Sequence, residues 1–184
     1  LFINSPNFKA SDVIFISSRY RPFKHKNYME IDDSIGLEPL LKIANDYSKQ
    51  LVISSSATEF KVKNHRQTIL DAYFSKNEAP HFNFDEDNMK HKYFLGIKNR
   101  SDVNGRYSNF SKKNNLLFLD KDKLLCNFEL ETCDFMTPDG HKVHYDTAHY
   151  TLEGARFVGK RVYESGFLDK VKAKVCESKN CNNP

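Results

Sequence analysis

The sequence lacks a long apolar run, a cluster of basic residues and a cysteine pair with zinc-ligand spacing. No stretch approaches the roughly 20 apolar residues that a membrane-spanning helix requires. The net charge of +4 is spread along the 184 residues, which argues against a nucleic-acid-binding surface. Neither cysteine pair has C-x2-C spacing, and no histidine follows at ligand distance. The composition predicts one globular domain. Because the chain begins at Leu1 rather than at a methionine, we expect a processed product or a piece of a longer protein.

Four cysteines occur as two local pairs, Cys126 with Cys133 and Cys176 with Cys181. Two short-range pairs in a chain otherwise free of cysteine predict two short-loop disulfides. Disulfides persist in the periplasm and outside the cell, so this pattern favours an oxidising compartment. The alternative is four unrelated free thiols.

Apolar runs and helical spacing alternate along the chain. Near-continuous apolar runs at 12–17, 51–56 and 116–120 predict buried strands. Helical spacing predicts helices over 35–49, 65–76, 86–103 and 152–165, the last with Thr151 as N-cap. A Pro-Asp-Gly turn at 138–140 predicts a hairpin, and the residues after about 171 are polar and expected to be loosely held. Strands separated by helices predict a parallel sheet in an α/β sandwich.

An aspartate and a histidine, Asp146 and His149, lie three residues apart just before the last predicted helix. An irregular loop at this point allows both side chains to face the same edge of the sheet. A carboxylate that accepts from one imidazole nitrogen fixes the tautomer, so that the other nitrogen can take a proton from a hydroxyl nucleophile. In the alternative interpretation, Asp146 forms a turn and His149 is a partly buried polar residue.

A metal site is a second alternative, because His141, His144, Asp146 and His149 lie within nine residues. If residues 141–145 form a strand, the two-residue period places His141 and His144 on opposite faces. That arrangement separates the potential ligands, so we predict no metal.

Further features surround the Asp146/His149 pair in residues 116–162. A predicted strand ends in Asp120, Leu-Cys is followed by a second cysteine, a glycine shortly precedes the letters HYD, and a hydroxyl residue and Gly-Ala open the last helix. This segment resembles the SGNH-hydrolase type of domain. More narrowly, it resembles the SGNH domain at the C-terminus of bacterial acyltransferase-3 membrane proteins, which O-acetylate surface polysaccharides. The upstream segments SDVIFISSRY and GLEPLLKIANDYSKQLVISSSATEF extend the resemblance over roughly residues 8–170.

The resemblance implies an α/β three-layer sandwich with a mostly parallel sheet, SGNH/flavodoxin-like and N-terminally incomplete. The expected organisation is a partial SGNH-like domain at 1–170 and a C-terminal tail at 171–184. The resemblance also implies that Asp146 is the orienting carboxylate and His149 the general base.

Arg19, with Ser17 and Ser18, lies where SGNH enzymes usually place a Gly-x-Asn-Asp segment that helps to hold the oxyanion. This sequence has no such asparagine. An oxyanion or substrate role for Arg19 therefore competes with a structural salt bridge at the sheet edge.

The nucleophile of this family is the serine of a Gly-Asp-Ser segment, and the chain contains no Gly-Asp-Ser. The pair Asp33-Ser34 does not follow a predicted buried strand. Residues Ser54, Ser55 and Ser56 end a strand, but the family places substrate-side loop residues there. We therefore expect the nucleophile and the first strands to lie upstream of Leu1.

The function implied is transfer of an acyl group, in this family acetyl, to or from hydroxyls of cell-surface carbohydrate, without a cofactor. The expected partners are a carbohydrate acceptor and an N-terminal segment or membrane acyltransferase domain of the parent protein; nucleic acid is not expected. The expected location is the periplasmic or extracellular face, with tethering to the membrane through the parent protein. One alternative is a non-catalytic carbohydrate-binding or regulatory module of the same fold. Another is a secreted interaction domain unrelated to catalysis, in which the Asp146/His149 pair is incidental; side chains that lie on different faces would establish this alternative.

Overall fold

The computed structural model describes residues 2–17, 36–56, 58, 60, 68–74, 85–97 and 101–179, without the side chains of 72, 74 and 101–103. The strands are β1 (Val13–Ile16), β2 (Gln50–Ser54), β3 (Leu117–Leu119), β4 (Cys126–Asn127) and β5 (Thr132–Cys133). The helices are α1 (Pro6–Ala10), α2 (Glu38–Asp46), α3 (Ile69–Phe74), α4 (Glu86–Ile97), α5 (Ser101–Lys113), α6 (Asp122–Leu125), α7 (Leu152–Glu164) and α8 (Phe167–Lys179). A short 3-10 turn, Phe2–Asn4, precedes α1.

A three-stranded parallel sheet has the order β1-β2-β3. Ile14 lies opposite Leu51 in the first pair of strands, and Val52 lies opposite Leu117 in the second. The central strand β2 is buried over most of its length, as is typical of parallel strands covered on both faces. The three predicted strands, their parallel arrangement and the α/β fold class are confirmed.

The chain divides into two compact units, and the sheet belongs to the unit formed by residues 1–56, 103–119 and 166–184. In its core, Leu37 and Ala44 pack with Leu51 of the sheet, and Tyr107 and Phe110 of α5 complete the cluster. Helices α2 and α8 both contact β2. The hydrophobic faces of these helices thus cover the apolar strands from which the sheet was predicted.

The other unit, residues 57–102 and 120–165, has a separate core and contains the Asp146/His149 pair. The ring of Tyr93 lies between Phe60, at 4.4 Å between ring centroids, and Phe135, at 5.2 Å. Among the described residues, the buried members of this core cluster are Phe60, Leu70, Met89, Tyr93, Phe94, Ile97, Leu125, Cys126, Cys133, Phe135, Val143 and Val158. Val143, in the segment that leads into α7, is a member of this core and is fully buried.

Two secondary-structure predictions were wrong. We expected one helix over 86–103, but the structure has α4, which ends at Ile97, and a separate α5 that continues to Lys113. The sequence of α5 is mostly polar, and the buried apolar residues among its described side chains, Tyr107 and Phe110, are too few for a clear helical pattern. We also expected a loosely held tail after about residue 171, but α8 continues to Lys179. The domain boundary at 170 remains a prediction.

The hairpin and the last helix formed as expected. Met136 and Lys142 pair across an antiparallel bridge, and Gly140 closes the turn with φ of +82°, a conformation that glycine adopts without strain. Helix α7 begins at Leu152, and the Thr151 hydroxyl accepts a hydrogen bond from the Gly154 N–H at 2.9 Å. Thr151 is therefore the N-cap, as predicted.

Candidate active site

Residues 144–150 form a tight loop closed by antiparallel pairing. His144 pairs with Tyr150 in an antiparallel bridge, and the Tyr145 N–H donates to the His149 carbonyl at 3.0 Å. Side chains alternate between the two faces of such a ladder. His144 is accordingly buried, with 2% of its surface exposed, whereas Tyr145 is 55% exposed. His149 lies on the same outward face as Tyr145.

The Asp146 and His149 side chains are hydrogen-bonded. Asp146 Oδ2 lies 2.7 Å from His149 Nδ1, and Asp146 Oδ1 accepts the backbone N–H groups of Ala148 and His149, each at 2.8 Å. This is the turn that an aspartate forms with the N–H groups two and three residues on. The predicted hydrogen bond is confirmed, and the arrangement with the two side chains on different faces is excluded.

The hydrogen bonds to Asp146 also determine its charge. Partial burial raises the pKa of Asp146, but the Ala148 N–H, the His149 imidazole and the His149 N–H outweigh burial and hold the pKa below its usual value. The carboxylate is therefore ionised at neutral pH and favours the tautomer with the proton on His149 Nδ1. The His149 side chain is 57% exposed, and within the described part of the chain its Nε2 makes no hydrogen bond. An unprotonated, accessible Nε2 is the atom that a general base requires.

Buried neighbours hold the inner side of the loop. Thr147 and Ala148 are each 6% exposed, and the Thr147 carbonyl accepts the Phe60 N–H at 2.9 Å. The His144 ring packs edge-on against Phe60 with 5.1 Å between centroids, and lies 4.7 Å from the Tyr150 ring. These contacts anchor the two residues between Asp146 and His149, so the pair lies on a supported turn.

Helix α7 is joined to the residues just before the loop. The Thr151 N–H donates to the Val143 carbonyl at 3.0 Å, and a Cβ added to Gly154 would lie 2.0 Å from the same oxygen. Only glycine permits this approach of helix to backbone. The first turn of α7 and the start of the loop thus form one packed element.

The metal alternative does not match the positions of the histidines. His141 is exposed and His144 is buried, as the two-residue period predicted. Among the described residues no group of three His, Cys, Asp or Glu side chains is arranged to hold a metal ion.

The serine and arginine positions considered from the sequence are only partly described. Ser54, Ser55 and Ser56 are buried, with at most 3% exposure, and the Ser54 hydroxyl donates to the Ser55 carbonyl at 3.1 Å. Buried serines at the end of β2 are not accessible to an acyl donor. Arg19, Ser18 and the Asp33-Ser34 pair lie outside the described residues, so the oxyanion role of Arg19 stays a prediction.

The Cys126–Cys133 disulfide is present, as predicted. It joins the paired strands β4 and β5, in which Cys126 lies opposite Cys133, and both residues are buried in the core. The Asp134 N–H next to it donates to the Leu125 carbonyl at 2.8 Å. Cys181 lies outside the described residues, so the Cys176–Cys181 pair stays a prediction.

Sequence reasoning missed the aromatic neighbour of His149. The Tyr145 and His149 rings are stacked, with 5.6 Å between centroids and 16° between planes. It also missed the approach of Gly154 to Val143 and the buried environment of His144. The period-two alternation, applied to residues 144–150 as a ladder, could have placed Tyr145 beside His149.

Comparison with known proteins identifies similar structures but no sequence relatives. No family model matches the chain, and no curated protein matches it either. The periplasmic domain of a lipopolysaccharide acetyltransferase from Salmonella ser. Paratyphi A superposes with a TM-score of 0.55 at 15% identity, over 84% of this chain and 56% of that one. A Bacteroides fragilis NCTC 9343 protein assigned as an acylhydrolase superposes with a TM-score of 0.51 at 10% identity, over 95% of this chain and 67% of that one.

These similarities concern the fold. At 15% and 10% identity the two structures share the backbone arrangement and little of the sequence. The chain spans 56% of the Salmonella domain. The parallel sheet flanked by helices and the two structural neighbours together confirm the α/β fold, and they are consistent with the SGNH-like arrangement expected from the sequence.

Proposed function

We propose that this chain supplies the base of an acyl-transfer site that moves an acyl group, in the first instance acetyl, to or from hydroxyls of cell-surface carbohydrate. The observation that carries the proposal is the 2.7 Å hydrogen bond between Asp146 and His149 Nδ1, with the histidine side chain exposed. The acetyltransferase and acylhydrolase assignments of the two structural neighbours support this class of reaction.

In the proposed reaction, His149 Nε2 removes the proton from a serine hydroxyl as that oxygen attacks the acyl carbonyl. Asp146 stabilises the imidazolium that forms and keeps the ring oriented. The imidazolium then returns the proton to the leaving group, and an acyl-serine remains. A sugar hydroxyl or water, deprotonated by His149 in turn, attacks the acyl-serine. The serine oxygen leaves and takes the proton back from the imidazolium, which releases the ester or the free acid. This route requires no metal or cofactor.

The serine in this proposal lies outside the chain. An N-terminal segment or a membrane acyltransferase domain of the parent protein would supply it. Across the described residues we find no helix with the length and apolar character to cross a membrane. The disulfide and the periplasmic origin of one structural neighbour support a location at the periplasmic or extracellular face.

The test uses the parent protein that contains this chain. His149→Ala is expected to lower kcat for acetyl transfer to carbohydrate by about 1000-fold or more, with KM little changed, because the base acts only in the transition state. Asp146→Asn is expected to lower kcat as well, since an amide can favour the wrong tautomer.

The matched control is Tyr163→Ala, which removes a 74% exposed aromatic ring from the same unit and is expected to leave kcat unchanged. A His149→Ala variant that retains the turnover of the unmodified parent would contradict the proposed function.

A non-catalytic carbohydrate-binding or regulatory module is the second candidate. The absence of Gly-Asp-Ser from the 184 residues and the burial of Ser54–Ser56 favour it for the chain by itself. It predicts that the parent retains its activity in the His149→Ala variant and loses carbohydrate binding when exposed residues elsewhere on the chain are changed.

A further inference from the structure

Tyr145 has an exposed ring with one described aromatic partner. It is 55% exposed, so its ring is not part of the core of its unit. Within the described residues its ring stacks only on His149, with 5.6 Å between centroids and 16° between planes. A large aromatic ring at an exposed position gains little free energy from burial. The contact with the His149 imidazole is therefore the main interaction of the Tyr145 ring.

The backbone brings the two rings together. The Tyr145 N–H donates to the His149 carbonyl at 3.0 Å, and the neighbouring His144–Tyr150 bridge closes the ladder. Cross-strand neighbours on one face have Cβ atoms about 4.5–5.5 Å apart, a distance at which two flat rings can stack. The inward pair, His144 and Tyr150, holds the ladder against Phe60. The outward pair therefore has a supported geometry.

The hydrogen bond from Asp146 leaves one motion of the imidazole unrestrained. It locates Nδ1 at 2.7 Å from the carboxylate, but the ring of a 57% exposed side chain can still rock about that contact and displace Nε2. The parallel Tyr145 ring opposes this rocking, because tilting the imidazole brings it into the face of the tyrosine. A general base must stay within hydrogen-bond reach of the proton that it removes.

We infer that Tyr145 is a positioning residue that keeps the plane of the His149 imidazole, and with it Nε2, in the orientation for proton transfer. The inference rests on the proposed function for its catalytic consequence. The orientation itself is a property of the chain and can be measured without turnover.

The first experiment measures the His149 ring in the 184-residue chain by NMR, through the order parameter of its Cδ2–H bond and the exchange rate of its Nδ1 proton with water. Tyr145→Ala is expected to lower the order parameter and to raise the exchange rate severalfold. Tyr145→Phe keeps the ring and is expected to restore both values. Tyr163→Ala, at the exposed tyrosine of α7, serves as the control and is expected to change neither. Unchanged ring order in Tyr145→Ala would overturn the inference.

The second experiment measures turnover in the parent protein. Tyr145→Ala is expected to lower kcat about tenfold with KM unchanged, since a small misplacement of a reacting group costs rate rather than binding, and Tyr145→Phe is expected to recover it. A rise in KM with kcat unchanged would contradict a positioning role and would indicate a substrate contact instead. If His149→Ala leaves turnover intact, the proposed function fails, while the NMR measurement still decides whether Tyr145 orients the ring.

Discussion

At the scale of single residues, His144 is the most unusual group beside the candidate site. Its ring is 2% exposed, and neither ring nitrogen makes a hydrogen bond within the described part of the chain. Burial lowers the pKa of His144 from 6.5 to about 4; the Asp146 charge opposes this shift and His149 adds to it. His144 therefore functions in the fold as a neutral aromatic ring that packs on Phe60 and Tyr150.

The lowered pKa of His144 predicts acid sensitivity. In the unfolded chain the group takes up a proton below about pH 6.5, but the folded protein resists this until about pH 4. Its stabilising contribution is therefore fully present above pH 6.5 and is lost as the pH falls toward 4. Over this range the free energy of unfolding is expected to fall by about 3 kcal/mol. Urea unfolding of the wild type at pH 7 and at pH 4.5 measures the loss.

The comparison variant for this prediction is His144→Phe, which keeps an aromatic ring between Phe60 and Tyr150 but cannot be protonated. We expect its free energy of unfolding to fall much less between pH 7 and pH 4.5. The pKa values of Asp71 and Asp146 are both lowered, so their contributions are lost only at lower pH. Equal losses in the wild type and the variant would show that His144 does not cause the acid sensitivity.

At the scale of elements, the contact between α7 and the residues before the loop determines where the helix begins. Gly154→Ala would place a methyl group 2.0 Å from the Val143 carbonyl oxygen, and the backbone cannot yield without moving the loop. We expect a loss of about 2 kcal/mol or more in the free energy of unfolding, together with changed amide shifts at His149. Urea titration and an NMR amide spectrum measure both effects.

The same helix provides the control. A Cβ added to Gly159 would have no atom within 4 Å. Because alanine is the better helix former, Gly159→Ala is expected to stabilise the protein by about 0.5–1 kcal/mol. If Gly154→Ala were as stable as Gly159→Ala, the close approach of α7 to Val143 would not exist in solution.

The Cys126–Cys133 disulfide closes a short loop within the core of its unit. Its removal by Cys126→Ser with Cys133→Ser is expected to lower the free energy of unfolding by about 2–3 kcal/mol in the chain-entropy model. Mass measurement after alkylation without reductant should find both cysteines unmodified in the wild type. Alkylation of both would refute the pairing. The control is the double variant Cys176→Ser with Cys181→Ser, which keeps the Cys126–Cys133 bond. Its free energy of unfolding is expected to fall on addition of reductant as in the wild type.

At the scale of the whole molecule, the 184 residues contain the hydrogen-bonded pair Asp146 and His149, which we propose as orienting carboxylate and base, but no Gly-Asp-Ser segment that would supply a nucleophile. A base without a nucleophile stabilises nothing in an acyl-transfer transition state. We therefore expect the 184-residue chain alone to hydrolyse an activated acetyl ester no faster than its His149→Ala variant. It should also take up no serine-directed covalent probe.

Mass spectrometry of the chain after treatment with the probe is the measurement for this prediction. Stoichiometric labelling at any serine, including Ser34 and the buried Ser54, Ser55 and Ser56, would show that the nucleophile lies within the chain. In that case the part of the proposal that places the serine in the parent protein would be wrong, while the roles of Asp146 and His149 would remain to be tested by their own variants.

The sequence by itself determined the features that depend on local geometry. The apolar runs identified the three strands of the sheet, since a strand covered on both faces must be apolar along its length. The spacing of Asp146 and His149 predicted their hydrogen bond, because residues three apart in a tight turn are brought together by the backbone alone. Thr151 was identified as the N-cap for the same reason.

Only the tertiary structure decided the features that depend on residues far apart in the chain. His144 is buried because its ring packs against the ring of Phe60. The polar C-terminal residues fold into α8 because that helix contacts β2 and β3. The α5 helix likewise forms because Tyr107 and Phe110 pack into the core cluster that includes Leu51 of the sheet, although the sequence of α5 shows no clear helical spacing of apolar residues. In each case burial against distant residues supplies a free energy that local propensity does not contain.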